Sequence, residues 1–241
     1  MNSGTTTTSV SKYLRKYQIT WPTIVDSART LEKLADVPEV SLNNIWQARV
    51  IDSSGKVVRA GATDLEKTAQ QALSGAKWNV DPTSIPNELK PLWAQIEFGN
   101  YSSSAIPLRK HLKSRKSETK TAATTLNDYV TKQLADEIAA AATEEKSGNL
   151  WQSYRVLQSL SQRYKGFEIP KSVTSDVNRL EANETIKTEL SANRKLELAK
   201  KSARSTSKSA RARVIRQLKL IVEQYPNTEA AKQASAILGS L

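Results

Sequence analysis

The chain has 241 residues, no cysteine, a single histidine and a formal net charge of +12 at pH 7. This length fits one or two domains. Because no thiol exists and His111 stands alone, the composition excludes disulfides, cysteine nucleophiles, Cys/His zinc sites and paired catalytic histidines. No run of about 18 apolar residues occurs, so we expect a soluble protein without a membrane-spanning helix. The opening residues also lack the apolar core of a signal peptide.

The first 78 residues are predicted to alternate helices with strands. Apolar residues recur at helical spacing after Ser9, and β-branched residues follow Pro22, which fits the start of a strand. The turn Asp52–Gly55 joins two further strands, and Thr63 with Glu66 has the spacing of a capping box. In chain order we predict a helix over 9–18, a strand over 21–26, a helix over 28–35, a hairpin with strands over 45–51 and 56–60, and a helix over 63–73.

This order of elements resembles a known family. The stretches YLRKYQITWPTIVDSARTLEKLADV, IWQARVIDSSGKVVRAG and TDLEKTAQQAL resemble the second half of a thioredoxin-like (redoxin, thiol–disulfide oxidoreductase) domain. The resemblance implies an α/β thioredoxin-like partial domain over 1–78. In that family the Cys-x-x-Cys would lie upstream of the first helix, and Trp46 occupies the position of the cis-proline. The resemblance thus implies the fold without the residues of its redox chemistry.

The missing front half of such a domain leaves two interpretations. In the family the absent strands lie in the sheet between the strands at 21–26 and 45–51. Their loss would leave backbone N–H and C=O groups of the sheet unpaired, which costs free energy when these groups are buried. Either Met1 is not the natural start and a longer precursor supplies the rest, or the domain is degenerate and repacks or pairs with another chain. If the chain is a fragment, the resemblance implies an extracytoplasmic, bacterial setting; the sequence itself names no compartment.

The second part of the chain predicts an all-α domain. Residues 79–90 contain Pro82 and Pro86 and few apolar side chains, which is typical of a linker. Beyond them, Gly148 and Gly166 interrupt amphipathic stretches at helical spacing. Over 91–241 we predict helices at 91–98, 104–113, 118–146, 150–164, 170–203, 209–225 and 228–238.

Three stretches of this domain resemble one another: WAQIEFGNYSSSAIPLRKHL, AAATEEKSGNLWQSYRVLQSLSQRY and VIRQLKLIVEQYPNTEAAKQASAIL. Each pairs an apolar helix with a turn and a helix of small residues, which lets helices approach closely and stack. They are similar to tetratricopeptide-type repeats, which implies helical hairpins over 91–241. Their spacing is irregular, and an irregular α-helical domain without true repeats is the alternative.

Basic residues concentrate between Arg194 and Lys219, where ten lysines and arginines accompany one acid, Glu197. If a helix runs through Thr206, several of them share a face, which we expect to be exposed and unpaired. Such a face attracts polyanions weakly and without sequence preference. A solvated face that only maintains solubility is the alternative, since no aromatic residue is interleaved for stacking. The candidate anion-contact residues are Lys200, Lys201, Arg204, Lys208 and Arg211.

Catalytic motifs are not found. Ser-x-x-Lys occurs five times but never with Lys-Thr-Gly, and the sequence has neither a phosphate-binding loop nor Gly-x-Gly-x-x-Gly. We predict no catalytic residue, no metal site and no cofactor. The predicted function is a non-catalytic structural or protein-interaction protein with a redox-inactive thioredoxin-like remnant, whose partner is another protein. One alternative is a C-terminal fragment of an extracytoplasmic thiol–disulfide oxidoreductase with cysteines upstream of Met1. A second is weak polyanion binding through residues 194–219.

Overall fold

The computed structural model describes residues 2–3, 7–18, 25–26, 35–37, 48–61, 63–202 and 208–239. These residues are mainly helical, and strands occupy only short segments of them. This helical content agrees with the all-α domain predicted over 91–241. The chain divides into two compact units, Met1–Lys77 and Trp78–Leu241.

The first unit contains two strand pairs and two helices in its described residues. One strand pair is parallel, and the other is an antiparallel hairpin that the last helix of the unit contacts on both strands. The elements are β1 (Asn2–Ser3), α1 (Thr7–Lys16), β2 (Val25–Asp26), β3 (Ala48–Ile51), β4 (Val57–Ala60) and α2 (Leu65–Ala72). β1 pairs with β2, and β3 pairs with β4.

The turn of the β3–β4 hairpin is built on Asp52. Its Oδ1 accepts hydrogen bonds from the Ser54 hydroxyl at 2.6 Å, from the Ser54 N–H at 2.9 Å and from the Lys56 N–H at 3.0 Å. These bonds favour the ionised carboxylate and lower the pKa of Asp52. An Asx turn therefore joins the two strands where the sequence predicts a turn.

The start of α2 differs from the prediction. Thr63 and Glu66 do not form a capping box, because the helix begins at Leu65 with Asp64 in the N-cap position and no side-chain capping bond. Glu66 is then the second helical residue instead of the third, which is out of register for a box. Other predicted segments of this unit lie outside the described residues: 21–24, 28–34 and 45–47, with Trp21 and Trp46.

The described part of the second unit consists of two 3-10 turns followed by α-helices, each packed against the next along the chain. The 3-10 turns are Pro82–Ser84 and Asn87–Leu89. The helices are α3 (Lys90–Glu97), α4 (Tyr101–His111), α5 (Ser117–Lys146), α6 (Leu150–Arg163), α7 (Lys171–Glu181), α8 (Glu184–Ser202), α9 (Lys208–Gln224) and α10 (Glu229–Leu238).

Residues 79–90, predicted as a linker, pack into the helical unit. Val80, Ile85 and Leu89 are buried members of its core. The Trp93 indole N–H also donates to the Val80 carbonyl oxygen at 2.9 Å. Val80 and Ile85 are five positions apart, which fits neither the helical nor the strand period, so a search for periodicity does not detect them.

Two helical hairpins close with the same kind of turn. After α3 and after α5, a left-handed glycine (Gly99, φ 73°; Gly148, φ 83°) precedes an asparagine. The N–H groups of Asn100 and Asn149 donate to the carbonyl five residues earlier, at 2.8 and 2.9 Å, and each glycine N–H donates to the carbonyl three residues earlier. This is the bonding of a Schellman motif. Each Gly-Asn step therefore ends one helix and starts the next.

The prediction of one helix over 170–203 is wrong, because the chain turns between α7 and α8. Asn183 Oδ1 accepts the N–H of Thr185 at 2.9 Å, and the Asn183 carbonyl accepts the N–H of Lys187 at 3.0 Å. Asn183 is therefore the N-cap of α8. Neither glycine nor proline stands at this break, so the sequence offers only the asparagine as a signal.

Buried apolar side chains form two clusters in the second unit. The first extends from the 3-10 turns to the start of α8, and Tyr101 and Tyr164 stack inside it with ring centroids 4.8 Å apart. The second joins α8, α9 and α10 and includes Leu196 and Leu218. Helix α8 takes part in both clusters and so fixes the relative positions of α6 and α10.

Candidate functional site

A cleft of about 340 Å³ lies over one face of α8, between α6 and α10. Both α6 and α10 pack on α8, which makes α8 the floor and the other two helices the walls. The lining residues recur mainly three and four positions apart, so each helix presents a single face to the cleft. They are Trp151, Tyr154, Arg155 and Gln158 of α6, Leu190, Asn193, Glu197 and Lys200 of α8, and Glu229, Ala230 and Gln233 of α10.

The first turn of α10 is anchored to α8. Glu189 is only 6% exposed, and its two carboxylate oxygens accept the N–H of Glu229 at 2.9 and 3.2 Å. Within α10, Thr228 Oγ1 accepts the N–H of Ala231 at 3.1 Å. Negative charge is favourable here, because the unpaired N–H groups of a helix start carry partial positive charge. These bonds hold one wall of the cleft in place.

Tyr154 holds the α6 wall. Its side chain is buried, and its hydroxyl donates to Glu181 Oε1 at 2.6 Å. Burial, and secondarily this bond to a carboxylate, raises the pKa of Tyr154 to about 12. The ring stacks on Trp151, with centroids 5.6 Å apart and planes inclined by 18°. Trp151 is half-buried and supplies the aromatic surface of the cleft.

Lys200 is engaged inside the cleft. Its Nζ lies 3.0 Å from Glu197 Oε1 and 3.2 Å from Gln233 Oε1, which joins the floor to the α10 wall. The Lys200 side chain is 33% exposed, so water only partly screens the ion pair. The charge of this lysine is therefore neutralised by the protein.

Three other polar side chains of the cleft have no hydrogen-bond partner in the described part of the chain: Arg155, Gln158 and Asn193. Each primary amide offers two donor hydrogens and an acceptor oxygen, and a guanidinium offers five donors. They are available to a ligand that carries both donors and acceptors.

The five predicted anion-contact residues do not form one described surface. Lys200 faces the cleft and is paired, so the expectation of an unpaired cation is wrong there. Lys201 is exposed, because neighbouring residues of a helix point in different directions. Arg211 is exposed on α9, which is a separate helix. Arg204, with the helix predicted to run through it, lies outside the described residues, as does the side chain of Lys208.

The sequence analysis did not identify Arg155, Gln158 or Asn193. Gln158 and Asn193 stand on different helices, and only the packing of α6 on α8 brings them to one cleft. The sequence gives one sign of the cleft: Trp151, Arg155 and Gln158 are spaced so that they share one face of a helix.

No helix of the described residues is long and apolar enough to cross a membrane. The same residues contain no group of three or more histidine or acidic side chains placed to hold a metal ion. Comparison with protein-family models, with curated proteins and with solved structures finds no match.

Proposed function

We propose that this protein is a non-catalytic helical scaffold that binds an extended segment of another protein in the cleft over α8. The observation that carries the proposal is the set of unpartnered polar side chains, Arg155, Gln158 and Asn193, around one cleft. Rigid helices carry all three, and the bonds of Glu189 and Tyr154 hold the walls. The backbone of the site is therefore preorganised, and the conformational entropy lost on binding comes mainly from ordering these three side chains.

The lining of the cleft suits a peptide backbone better than a small apolar molecule. Pockets for small molecules are lined predominantly by apolar side chains, whereas polar and charged residues predominate here. An extended peptide offers a donor and an acceptor at nearly every residue, and the amides of Gln158 and Asn193 pair with both. Trp151 adds flat apolar surface for a side chain of the bound segment. Arg155 matches a carboxylate of that segment.

The proposed scaffold is of the tetratricopeptide-like type. Support comes from the two Schellman turns, each followed by a helix with a buried serine four residues after the asparagine, Ser104 in α4 and Ser153 in α6. A small side chain at this position lets paired helices approach closely. In α10 the buried residues Ala230, Ala231 and Ala234 serve the same purpose.

We also propose that the first unit is a redox-inactive thioredoxin-like remnant. The order of α1, β2, the β3–β4 hairpin and α2, together with the packing of α2 on the hairpin, supports this. Since the sequence contains no cysteine, the unit contributes no dithiol. The role that we propose for the first unit is structural.

Selection from a displayed library of random peptides tests the proposed scaffold function. The full chain is the bait, and the affinity of each recovered peptide is measured for the chain and for a cleft variant, Arg155→Ala with Gln158→Ala and Asn193→Ala. Each lost hydrogen bond costs about 0.5–1.5 kcal/mol, so three cost about 1.5–4.5 kcal/mol. Binding should weaken more than tenfold (about 1.4 kcal/mol).

A matched control replaces the same residue types outside the cleft: Arg115→Ala, Gln162→Ala and Asn178→Ala, all exposed. The control should bind the recovered peptides as the original chain does. Peptides that bind all three proteins equally contradict the proposal, as does a library that yields no cleft-dependent peptide.

A further inference from the structure

Helix α9 presents a row of cations on the face opposite its buried side. Val214, Leu218 and Ile221 are buried against α8 and α10. Arg213, Arg216 and Lys219 are exposed, and none of them forms an ion pair in the described part of the chain. The one acid of the helix, Glu223, is four positions after Lys219 on the same side of the helix, and it forms no ion pair with that lysine in the described part of the chain. The outer face of α9 therefore carries three cations against one acid, a net positive charge that no ion pair of the described residues neutralises.

The spacing of this row follows from helix geometry. With a rise of about 1.5 Å per residue, Arg213 and Lys219 lie about 9 Å apart along the axis. Residues three positions apart differ by about 60° around the axis, so the row stays on the outward side. Each strand of a nucleic-acid duplex carries one negative charge per about 3.4 Å of the duplex axis, so the row matches about three phosphates of one strand.

We propose that the outer face of α9 binds the phosphate backbone of a nucleic-acid duplex without reading its sequence. Guanidinium groups match phosphate oxygens in a bidentate geometry, which favours Arg213 and Arg216 as the principal contacts. The ammonium group of Lys219 would contribute a point charge that attracts phosphate without a fixed bidentate geometry. A basic stripe on a chain with an isoelectric point near 9.8 is the electrostatic footprint of such binding.

Two other polyanions fit this face less well. An amphipathic helix that lies on a membrane inserts its apolar face into the lipid, whereas the apolar face of α9 is covered by α8 and α10. Single-stranded nucleic acid is usually held by bases stacked on aromatic side chains, and the sequence of α9 contains no aromatic residue.

The face is separate from the cleft proposed for peptides, so either proposal can fail without the other.

Fluorescence anisotropy with a short labelled DNA duplex of mixed sequence tests this inference. The full chain is titrated at several salt concentrations and compared with Arg213→Gln, Arg216→Gln, Lys219→Gln in one variant. The logarithm of the binding constant falls linearly with the logarithm of the salt concentration, and each phosphate contact adds about 0.9 to the steepness of this line. The line of the variant should therefore be less steep by about 2.7. If the plots of log affinity against log salt concentration for the two proteins meet near 1 M salt, the variant binds about 500-fold more weakly at about 0.1 M salt.

A control with the same change in net charge replaces three exposed lysines outside α9, Lys146→Gln, Lys165→Gln and Lys171→Gln. It should keep the original slope. A second variant, Arg213→Lys with Arg216→Lys and Lys219→Arg, keeps the charge and should keep most of the slope, which separates charge loss from misfolding.

Three outcomes overturn the inference. The first is an equal loss of slope in the α9 variant and the control, which would mean that net charge alone drives binding. The second is stronger binding to the single strand than to the duplex. The third is binding to vesicles that contain anionic phosphatidylserine without binding to the duplex.

Discussion

Burial of Tyr154, and secondarily its hydrogen bond to Glu181, makes the stability of the second unit sensitive to alkaline pH. Burial raises the pKa of Tyr154 to about 12, against about 10 for a free tyrosine. The folded state therefore holds this proton more tightly than the unfolded state does. Its stabilising contribution is complete below pH 10 and is lost as the pH rises from about 10 through about 12. Two pKa units correspond to about 2.7 kcal/mol.

Tyr154→Phe removes the hydroxyl and keeps the buried ring. At pH 7 we expect the variant to lose about 1.5 kcal/mol of unfolding free energy, the low end for a hydrogen bond to a charged group, because Glu181 is exposed. Between pH 7 and pH 12 the original protein loses about 2.3 kcal/mol that the variant does not lose, since the full 2.7 kcal/mol is lost only above pH 12. The variant should therefore be less stable at pH 7 and more stable near pH 12.

Urea unfolding, followed by far-ultraviolet circular dichroism from pH 7 to pH 12, measures this difference. Burial also raises the pKa values of Tyr101, Tyr129 and Tyr164, but these residues titrate in both proteins and cancel in the comparison. Tyr13→Phe, at a residue that is 56% exposed, is the control and should change stability little at either pH. A Tyr154→Phe stability difference that is equal at pH 7 and pH 12 would refute the reasoning.

Three further predictions concern turns, redox activity and local stability. Gly148→Ala should cost about 1–2 kcal/mol from its left-handed backbone alone, whereas Gly166→Ala should lower the melting temperature more, because its Cβ would lie 2.7 Å from Ala105 Cβ; equal melting temperatures would contradict this. The chain should not reduce insulin disulfides in a turbidity assay with dithiothreitol, because it has no cysteine, and a rate above the protein-free blank would contradict the proposed non-catalytic function. Hydrogen exchange should be slow in residues 126–164 and fast in the two-stranded hairpin at 48–60, since two short strands under one eight-residue helix bury little surface; equal protection would show that the hairpin is completed by further pairing.

Long periodic segments were predictable from the sequence. The helix predicted over 118–146 is α5, Ser117–Lys146, and the helix predicted over 150–164 is α6, Leu150–Arg163. Both carry an apolar stripe at helical spacing, and Gly148 marks the turn between them. Local pattern was sufficient here because residues adjacent in sequence close the turn, and because the apolar stripe of each helix marks the face that is buried.

The features that depend on tertiary packing were not predictable. The break at Asn183 has no glycine or proline, so the pattern on either side reads as one helix. Val80 and Ile85 are core residues only because the helical unit covers them. The ion pair of Lys200 with Glu197 is a contact between residues three apart on α8, which the spacing in the sequence allows. The bond of Lys200 to Gln233 depends instead on how α10 packs on α8, which no spacing in the sequence specifies.

Chemical-shift mapping by nuclear magnetic resonance tests the central claim, that the cleft over α8 binds a peptide segment of another protein. A peptide from the library selection is titrated into the ¹⁵N-labelled full chain. We predict that the largest amide shifts fall on the three cleft-lining segments, at 151–158, 190–200 and 229–233, and that they vanish in the Arg155→Ala, Gln158→Ala, Asn193→Ala variant. Shifts that fall elsewhere in the second unit, or that persist in this variant, would contradict the claim.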